Sequence, residues 1–326
     1  MKKIIHVALS AVLLALCVSA EAQQPKKVPQ IGYLAGTGPD AQLARIEAFR
    51  QGLRELGYVE GKNIVIESRY AEGKLDRRPA LVADLVSLKV DVILTAGPGD
   101  TRAAREATNT IPIVMAQDPD PVGSGFVASL ARPGGNITGL STLAPEISGK
   151  QLELLKEIIP KLSRVAVFGT STNPGTAQMI REIELAAKAF GVKLQYLDVL
   201  DPKDIETVFR AASKGRAGAV LAIGGAALNS QRTQVVDLAA KNRLPAIYNN
   251  SQFVEAGGLM TYGVSFTDLY RRAATFVDKI LKGRTPADLP VEQPMKFEFI
   301  ISLIAAKQIG LTIPPNVLVR ADRVIR

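Results

Sequence analysis

Residues 111–125 read "IPIVMAQDPDPVGSG". An apolar run, Ile111–Met115, gives way at once to two aspartates one residue apart, Asp118 and Asp120, each followed by proline. Such a junction has three meanings: an acid–base pair, a metal site, or a strand that ends and turns into a helix at the lip of a cleft. The rest of the chain bears on which one holds.

Upstream and downstream, short β-branched runs alternate with amphipathic stretches. The first half predicts strands at 30–34, 63–70, 90–94, 111–115 and 136–140, with helices at 41–56, 76–88, 101–108 and 122–130 between them. In the first helix Leu43, Ile46, Phe49, Leu53 and Leu56 recur at helical spacing and Gly57 stops it. The pattern then starts again. Helices are predicted at 148–159, 177–190, 204–212, 230–242 and 268–281, and strands at 164–168, 192–199, 219–223, 245–248 and 259–262. Asp201 followed by Pro202 reads as the cap of the third of these helices.

Strand–helix alternation requires largely parallel sheets with helices on both faces, connected by right-handed crossovers. The fold class is therefore α/β, with two doubly wound parallel-sheet lobes joined by a multi-stranded hinge. The helix at 268–281 follows the close of the second half and is expected to return to the first lobe. The expected division is residues 28–140 with 263–286 for lobe 1, and 141–262 with 287–326 for lobe 2.

Ligands of such sheets sit beyond the carboxyl ends of the strands. Here those segments read "AGTGPD" (35–40), "TAGPGDT" (95–101), "AQDPDPV" (116–122), "GTSTNPGT" (169–176), "IGGAALNS" (223–230) and "YNNSQ" (248–252). Their residues make turns and caps for local reasons, and they also offer N–H groups and hydroxyls to a small solute. Within this frame Asp120-Pro121 reads as the N-cap and first position of a helix over 122–130. A helix N-terminus favours the ionised carboxylate, the opposite of what a general acid needs. No calcium-type loop follows. Asp118 is the freer of the two and is placed to face a ligand amine.

The chain opens with Lys2 and Lys3, an apolar stretch from Ile4 to Val18, and Ala20-Glu21-Ala22. This is the form of a cleavable secretory leader over residues 1–22, too short in its apolar part to span a membrane as an ordinary helix. Cys17 raises a lipid anchor as the rival reading, but Leu16 precedes it where a small residue is normal. The only Cys and the only His (His6) leave with the leader, so Cys–His and Ser–His–Asp catalysis and Cys/His metal sites are excluded from the mature chain. The leader carries Lys2, Lys3 and Glu21, a net +1, so the mature chain keeps +8 of the formal +9. Its basic residues are scattered and Trp is absent, which argues against nucleic-acid binding. Neither G-x-S-x-G nor S-x-x-K occurs, "GTG" and "GPG" do not extend to a dinucleotide fingerprint, and Gly149-Lys150 is followed by Gln151 rather than Ser or Thr. An exported hydrolase using Asp118 or Asp120 with a Ser or Thr nucleophile is the enzymatic alternative.

Three stretches carry a resemblance. "DPVGSGFVASLARPGGNITGLS" (120–141), "KQLELLKEIIPKLSRVAVF" (150–168) and "AAKQIGLTIPPNVLVRADRVI" (305–325) resemble ABC-importer substrate-binding proteins of the tryptophan/tyrosine-binding type, which have the type I periplasmic-binding-protein fold. The resemblance implies a periplasmic receptor that closes two lobes on a small organic solute (amino acid, carboxylate or aromatic acid), docks on an ABC permease, performs no catalysis and needs no cofactor or metal. It implies ligand contacts at Gly36, Thr37, Gly97, Pro98, Asp118, Ser171, Thr172, Gly224, Gly225, Asn249 and Asn250. Members that bind amino acids often carry an acid near the position of Asn249. A ligand sensor feeding a membrane receptor would look the same in sequence. A monomer is the expected state.

Overall fold

Parallel strands dominate both sheets of the computed structural model, which describes residues 27–326. The leader expected over residues 1–22, with Cys17 and His6, lies outside the described residues. The first sheet contains β1 (Gln30–Ala35), β2 (Val65–Tyr70), β3 (Val92–Thr95), β4 (Ile113–Asp118) and β5 (Ile137–Ser141) in the order β2-β1-β3-β4-β5, all parallel. The central strands are buried along nearly their whole length, while edge strand β2 is half-buried. That is why "IGYLA", "VILT" and "IVMA" are apolar runs rather than alternations.

The second sheet is larger. It holds β6 (Arg164–Gly169), β7 (Lys193–Asp198), β8 (Ala219–Ala222), β9 (Ala246–Tyr248), β10 (Met260–Val264), β11 (Phe297–Ser302) and β12 (Arg323–Ile325). Their order is β12-β11-β10-β9-β8-β6-β7, and only the β10–β11 pair is antiparallel. The tail past residue 295, to which no element is assigned from sequence, thus supplies two strands.

Helices α1 (Pro39–Glu55), α2 (Arg78–Ser87) and α3 (Pro98–Ala107) flank the first sheet. Helices α4 (Ala144–Ile158), α5 (Thr176–Phe190), α6 (Ile205–Lys214), α7 (Ala226–Ser230), α8 (Arg232–Lys241) and α9 (Ser251–Glu255) belong with the second. Asp201 and Asp204 form a reciprocal capping box ahead of α6, as the Asp201-Pro202 signal implied. Among the described residues no helix is long and apolar enough to cross a membrane.

Other elements also differ from the sequence expectation, and α9 is a short helix that it did not assign. No helix forms over 122–130. The chain makes one turn, with Ser124 N–H on Asp120 O at 2.9 Å and Phe126 N–H on Pro121 O at 2.9 Å, and then runs irregularly to β5. Gly123 and Gly125 are poor helix formers, and Gly125 sits in the left-handed region (φ 70°), which ends the turn. Phe126 and Val127 are instead spent on the core of the first lobe. The expected helix over 230–242 forms as α8, and the short helix α7, not expected from sequence, precedes it, the two separated at Gln231 (φ −110°, ψ 31°).

The chain passes between the sheets three times: after β5, after β10, and again before β11. These passes are hydrogen-bonded to one another. Ser141 N–H donates to Glu292 O (2.8 Å), Glu292 N–H to Gly139 O (3.0 Å), and Ser265 N–H to Lys296 O (3.1 Å). Between the second and third passes lies α10 (Phe266–Leu281). It packs on α1 over one face of the first sheet, where Phe49, Leu53, Tyr270 and Phe276 share a core. The contact is close because Gly52 of α1 has no side chain: a Cβ there would lie 2.2 Å from Arg271 O and 2.8 Å from the Ala274 Cβ. Alanine normally favours a helix over glycine by about 1 kcal/mol. At this position Gly52→Ala is expected to destabilise the protein by about 1–3 kcal/mol through overpacking, read as a lowered thermal midpoint. An unchanged or raised midpoint would contradict the packing of α10 on α1.

Candidate functional site

The carboxyl ends of β1, β3 and β4 face those of β6, β8 and β9 across a cleft of about 970 Å³, counted to its open mouth. Each wall is fixed by local chemistry. After β1, the Thr37 hydroxyl accepts from Gln42 Nε2 at 2.5 Å, and the Tyr33 hydroxyl donates to Gln42 Oε1 at 2.7 Å. After β3, Thr101 Oγ1 donates to Gly97 O (3.1 Å) and lies 2.8 Å from Thr95 Oγ1, setting the start of α3. Gln117, at the end of β4, donates its amide to Ala96 O. On the facing wall, the Thr170 hydroxyl donates to Val199 O and the Thr176 hydroxyl to Thr170 O, both at 2.9 Å. Gly224 and Gly225 have φ of 99° and 139°, and a Cβ at Gly225 would meet the Thr170 hydroxyl at 2.3 Å. Only glycine fits that turn.

Of the residues expected from sequence, Gly36, Thr37, Gly97, Pro98, Gly224, Gly225 and Asn249 line this cleft. Asn250, Ser171, Thr172 and Asp118 do not. Asn250 is buried and caps α9, its side chain accepting from Gln252 N–H at 3.1 Å and donating to Asn229 and Asn249. Ser171 is exposed and bound through N–H and hydroxyl to Asp198; Thr172 beside it is also exposed. The cleft is reached two positions on, at Asn173, Pro174 and Thr176.

Asp118 corrects the expectation most sharply. It does not face a ligand amine. Gln117 and Pro119 line the cleft on either side of it, and the Asp118 carboxyl is fully buried. Oδ1 accepts from Asp120 N–H at 3.1 Å, and Oδ2 has no partner among the described residues. Burial pushes this carboxyl well above the ordinary range and the Asp120 charge adds to it, while the Asp120 N–H pulls the other way. Asp120 does accept from Gly123 N–H (2.8 Å), as a cap does, but caps a single turn.

Helix faces supply residues that the strand-end loops do not announce. Arg45, Arg78 and Asp100 are the ionisable side chains in the lining, with Gln42, Gln117, Gln151, Asn173 and Asn229 among its neutral polar groups. Arg78 Nε donates to Asp100 Oδ1 at 2.7 Å, and Asp100 Oδ2 accepts from Gly36 N–H at 3.0 Å. Burial raises the Asp100 carboxyl, opposed by Arg78 and by the Gly36 N–H. Arg45 lies over the Phe266 ring at 4.4 Å and donates to Gln252 Oε1 at 3.0 Å. Phe266, Val264, Ile147, Met179 and Ile223 form the apolar part of the lining. A sequence signal for Arg78 exists in retrospect: "DRRP" (76–79) puts a cation at a helix N-terminus, against the helix dipole.

The walls touch. Gln252 of α9 reaches across to accept from Arg45 and to donate to Ala41 O (3.1 Å) of α1. A Cβ on Gly36 would lie 3.0 Å from Ala226 Cβ, and one on Gly73 2.9 Å from Ser230 Oγ. The lobes are therefore closed upon each other, with the cleft between them. Among the described residues no group of three or more His, Cys, Asp or Glu side chains is placed to hold a metal ion.

Two sheets with facing strand ends and a hydrogen-bonded triple crossing define a two-lobed binding protein of the type I periplasmic-binding-protein fold. Residues 33–325 match the family described as ABC transporter substrate binding protein, and the chain belongs to that family. A curated relative, the tyrosine-binding protein of Clostridioides difficile (strain R20291), is 26% identical over 256 residues, 78% of this chain and 73% of that protein. A conserved domain protein from Vibrio cholerae O1 biovar El Tor superposes with a TM-score of 0.86 at 27% identity, covering 91% of this chain and all of the other. An ABC domain from Streptococcus pneumoniae in complex with L-Trp gives 0.84 at 25% identity, covering 91% and 99%.

Asp118 makes a pH-dependent prediction. A carboxyl raised in the folded state retains its proton there at pH values where the unfolded chain has lost it. Its contribution is present below the ordinary range, near 3.9, and is lost as pH rises toward the raised value. The thermal midpoint of Asp118→Asn relative to the parent is expected to climb between pH 4 and pH 8. A difference that stays flat would show that Asp118 is not held protonated.

Proposed function

We propose that the protein is an exported receptor that captures a small organic solute between its lobes and delivers it to an ABC permease, without chemical change. Substrate-binding proteins of this family bind small molecules, work with such permeases and are typically extracytoplasmic. The proposed lobes are residues 28–140 with 263–286 and 141–262 with 287–326, adjusted in that Leu289 and Val291 pack on the first lobe, and they close about the triple crossing as a hinge. The carrying observation is the Gln252 bridge. A residue of the second lobe, outside the cleft lining, bonds both Arg45 and Ala41 of the first, so closure has its own contacts beside those a solute would make. The wall residues Gly36, Thr37, Gly97, Pro98, Gly224, Gly225 and Asn249 form the proposed ligand contacts, joined by Arg78, Gln117 and Asn173. Relatives named for tyrosine or solved with L-Trp support a solute of amino-acid or carboxylic-acid size.

A thermal-shift screen of amino acids, carboxylates, aromatic acids and their amides tests this reading. At least one solute is expected to raise the midpoint following mass action, by about 2.7 kcal/mol of stability at one hundred times its Kd. No stabilisation across the whole screen would contradict it. Gln252→Ala is expected to weaken that solute about tenfold, since a hydrogen bond to a charged group contributes about 1.5–3 kcal/mol. Undiminished affinity would remove the bridge from the account.

A further inference from the structure

We propose that the solute is an organic carboxylate without an ammonium group, held by the terminal nitrogens of Arg78. This deepens the proposed function and rests on it. The lining contains two cations and one anion, and the anion is spent: Asp100 Oδ1 takes Arg78 Nε at 2.7 Å and Oδ2 takes Gly36 N–H at 3.0 Å. Asp118, the other acid near this wall, is buried outside the lining. An ammonium group would find only neutral acceptors.

The opposite is true for a carboxylate. Asp100 holds Arg78 by Nε alone, and among the described residues the two terminal nitrogens have no hydrogen-bond acceptor. Both lie beside glycines. A Cβ at Gly36 would sit 2.6 Å from one terminal nitrogen, and one at Gly99 would sit 2.9 Å from the other. Two glycines thus keep side chains away from both corners of the guanidinium, and any larger residue would displace it. A guanidinium presents its terminal N–H groups as a planar fork that fits the two oxygens of a carboxylate. Asn173 stands opposite Gly99 from the second lobe with its Oδ1 3.1 Å from where a Gly99 Cβ would lie, so its amide must turn over to donate to the same anion from the second wall. Arg45, the second cation, is turned to Gln252 and Phe266 and serves closure instead. The remaining wall, Ile147, Met179, Ile223, Val264 and Phe266, suits an apolar body.

Calorimetric titration of the mature protein with two matched sets tests the proposal: 3-phenylpropanoate, phenylalanine and 3-phenylpropanamide; then pentanoate, norvaline and pentanamide. The carboxylate of at least one set is expected to bind at least tenfold more tightly than its zwitterionic and amide partners. Arg78→Lys, which keeps the charge and loses the fork, should cost that carboxylate at least tenfold. Arg78→Gln combined with Asp100→Asn, which removes both charges together, should abolish the preference for carboxylate over amide in a protein whose circular dichroism is unchanged. Tighter binding of an amino acid or amide, a preference that survives the double variant, or no carboxylate binding would overturn the proposal. The wider thermal-shift screen separates this failure from that of the binding reading: a stabilising solute of another class leaves the receptor standing and removes only its preference for acids.

Discussion

Parallel strands can follow one another only if the chain is carried back over a face of the sheet each time. Every such strand then ends on the same edge. In this protein that constraint acts twice, and the two edges face each other. The loops after β1, β3 and β4 and those after β6, β8 and β9 meet in one cleft although they are scattered over more than two hundred residues of chain. Everything functional about the molecule follows from that convergence.

Two lobes so arranged would be independent bodies if the chain crossed between them once. It crosses three times, and the crossings bond to each other through Gly139, Ser141, Ser265, Glu292 and Lys296. The return of α10 onto α1, made possible by Gly52, ties the far end of the chain into the first lobe. A tied strip of chain thus joins the two lobes. Across the cleft, Gln252 bonds two residues of the opposite lobe. Under the function proposed above, closure and solute capture are coupled as a shift between two arrangements of the same chain.

Much of this was legible in sequence, because strand–helix alternation and strand-end loops follow from periodicity and turn chemistry. What was not legible has physical causes. Side chains alternate along a strand, so knowing that β4 ends near residue 118 does not say which neighbour faces the cleft. Gln117 does, and Asp118 points into the core. Ser171 and Asn250 look like ligand groups but are consumed by Asp198 and by the cap of α9. Arg45 and Gln42 sit on helices, where a polar residue carries no mark of the cavity it borders, and Arg78 is marked only as a cation at a helix N-terminus. The expected helix at 122–130 fails because two glycines and the burial of Phe126 and Val127 outweigh a good cap. The tail past 295 completes the second sheet by one antiparallel step, for which no short local pattern is diagnostic.

A crystal structure of the protein purified with its natural solute tests the central claim most directly. The account predicts one small molecule enclosed between the wall of Gly36, Arg78 and Gln117 and the wall of Asn173, Gly225 and Asn249, with the Gln252 bridge made. A solute seated elsewhere, or a cleft filled by side chains while solute is bound, would contradict it.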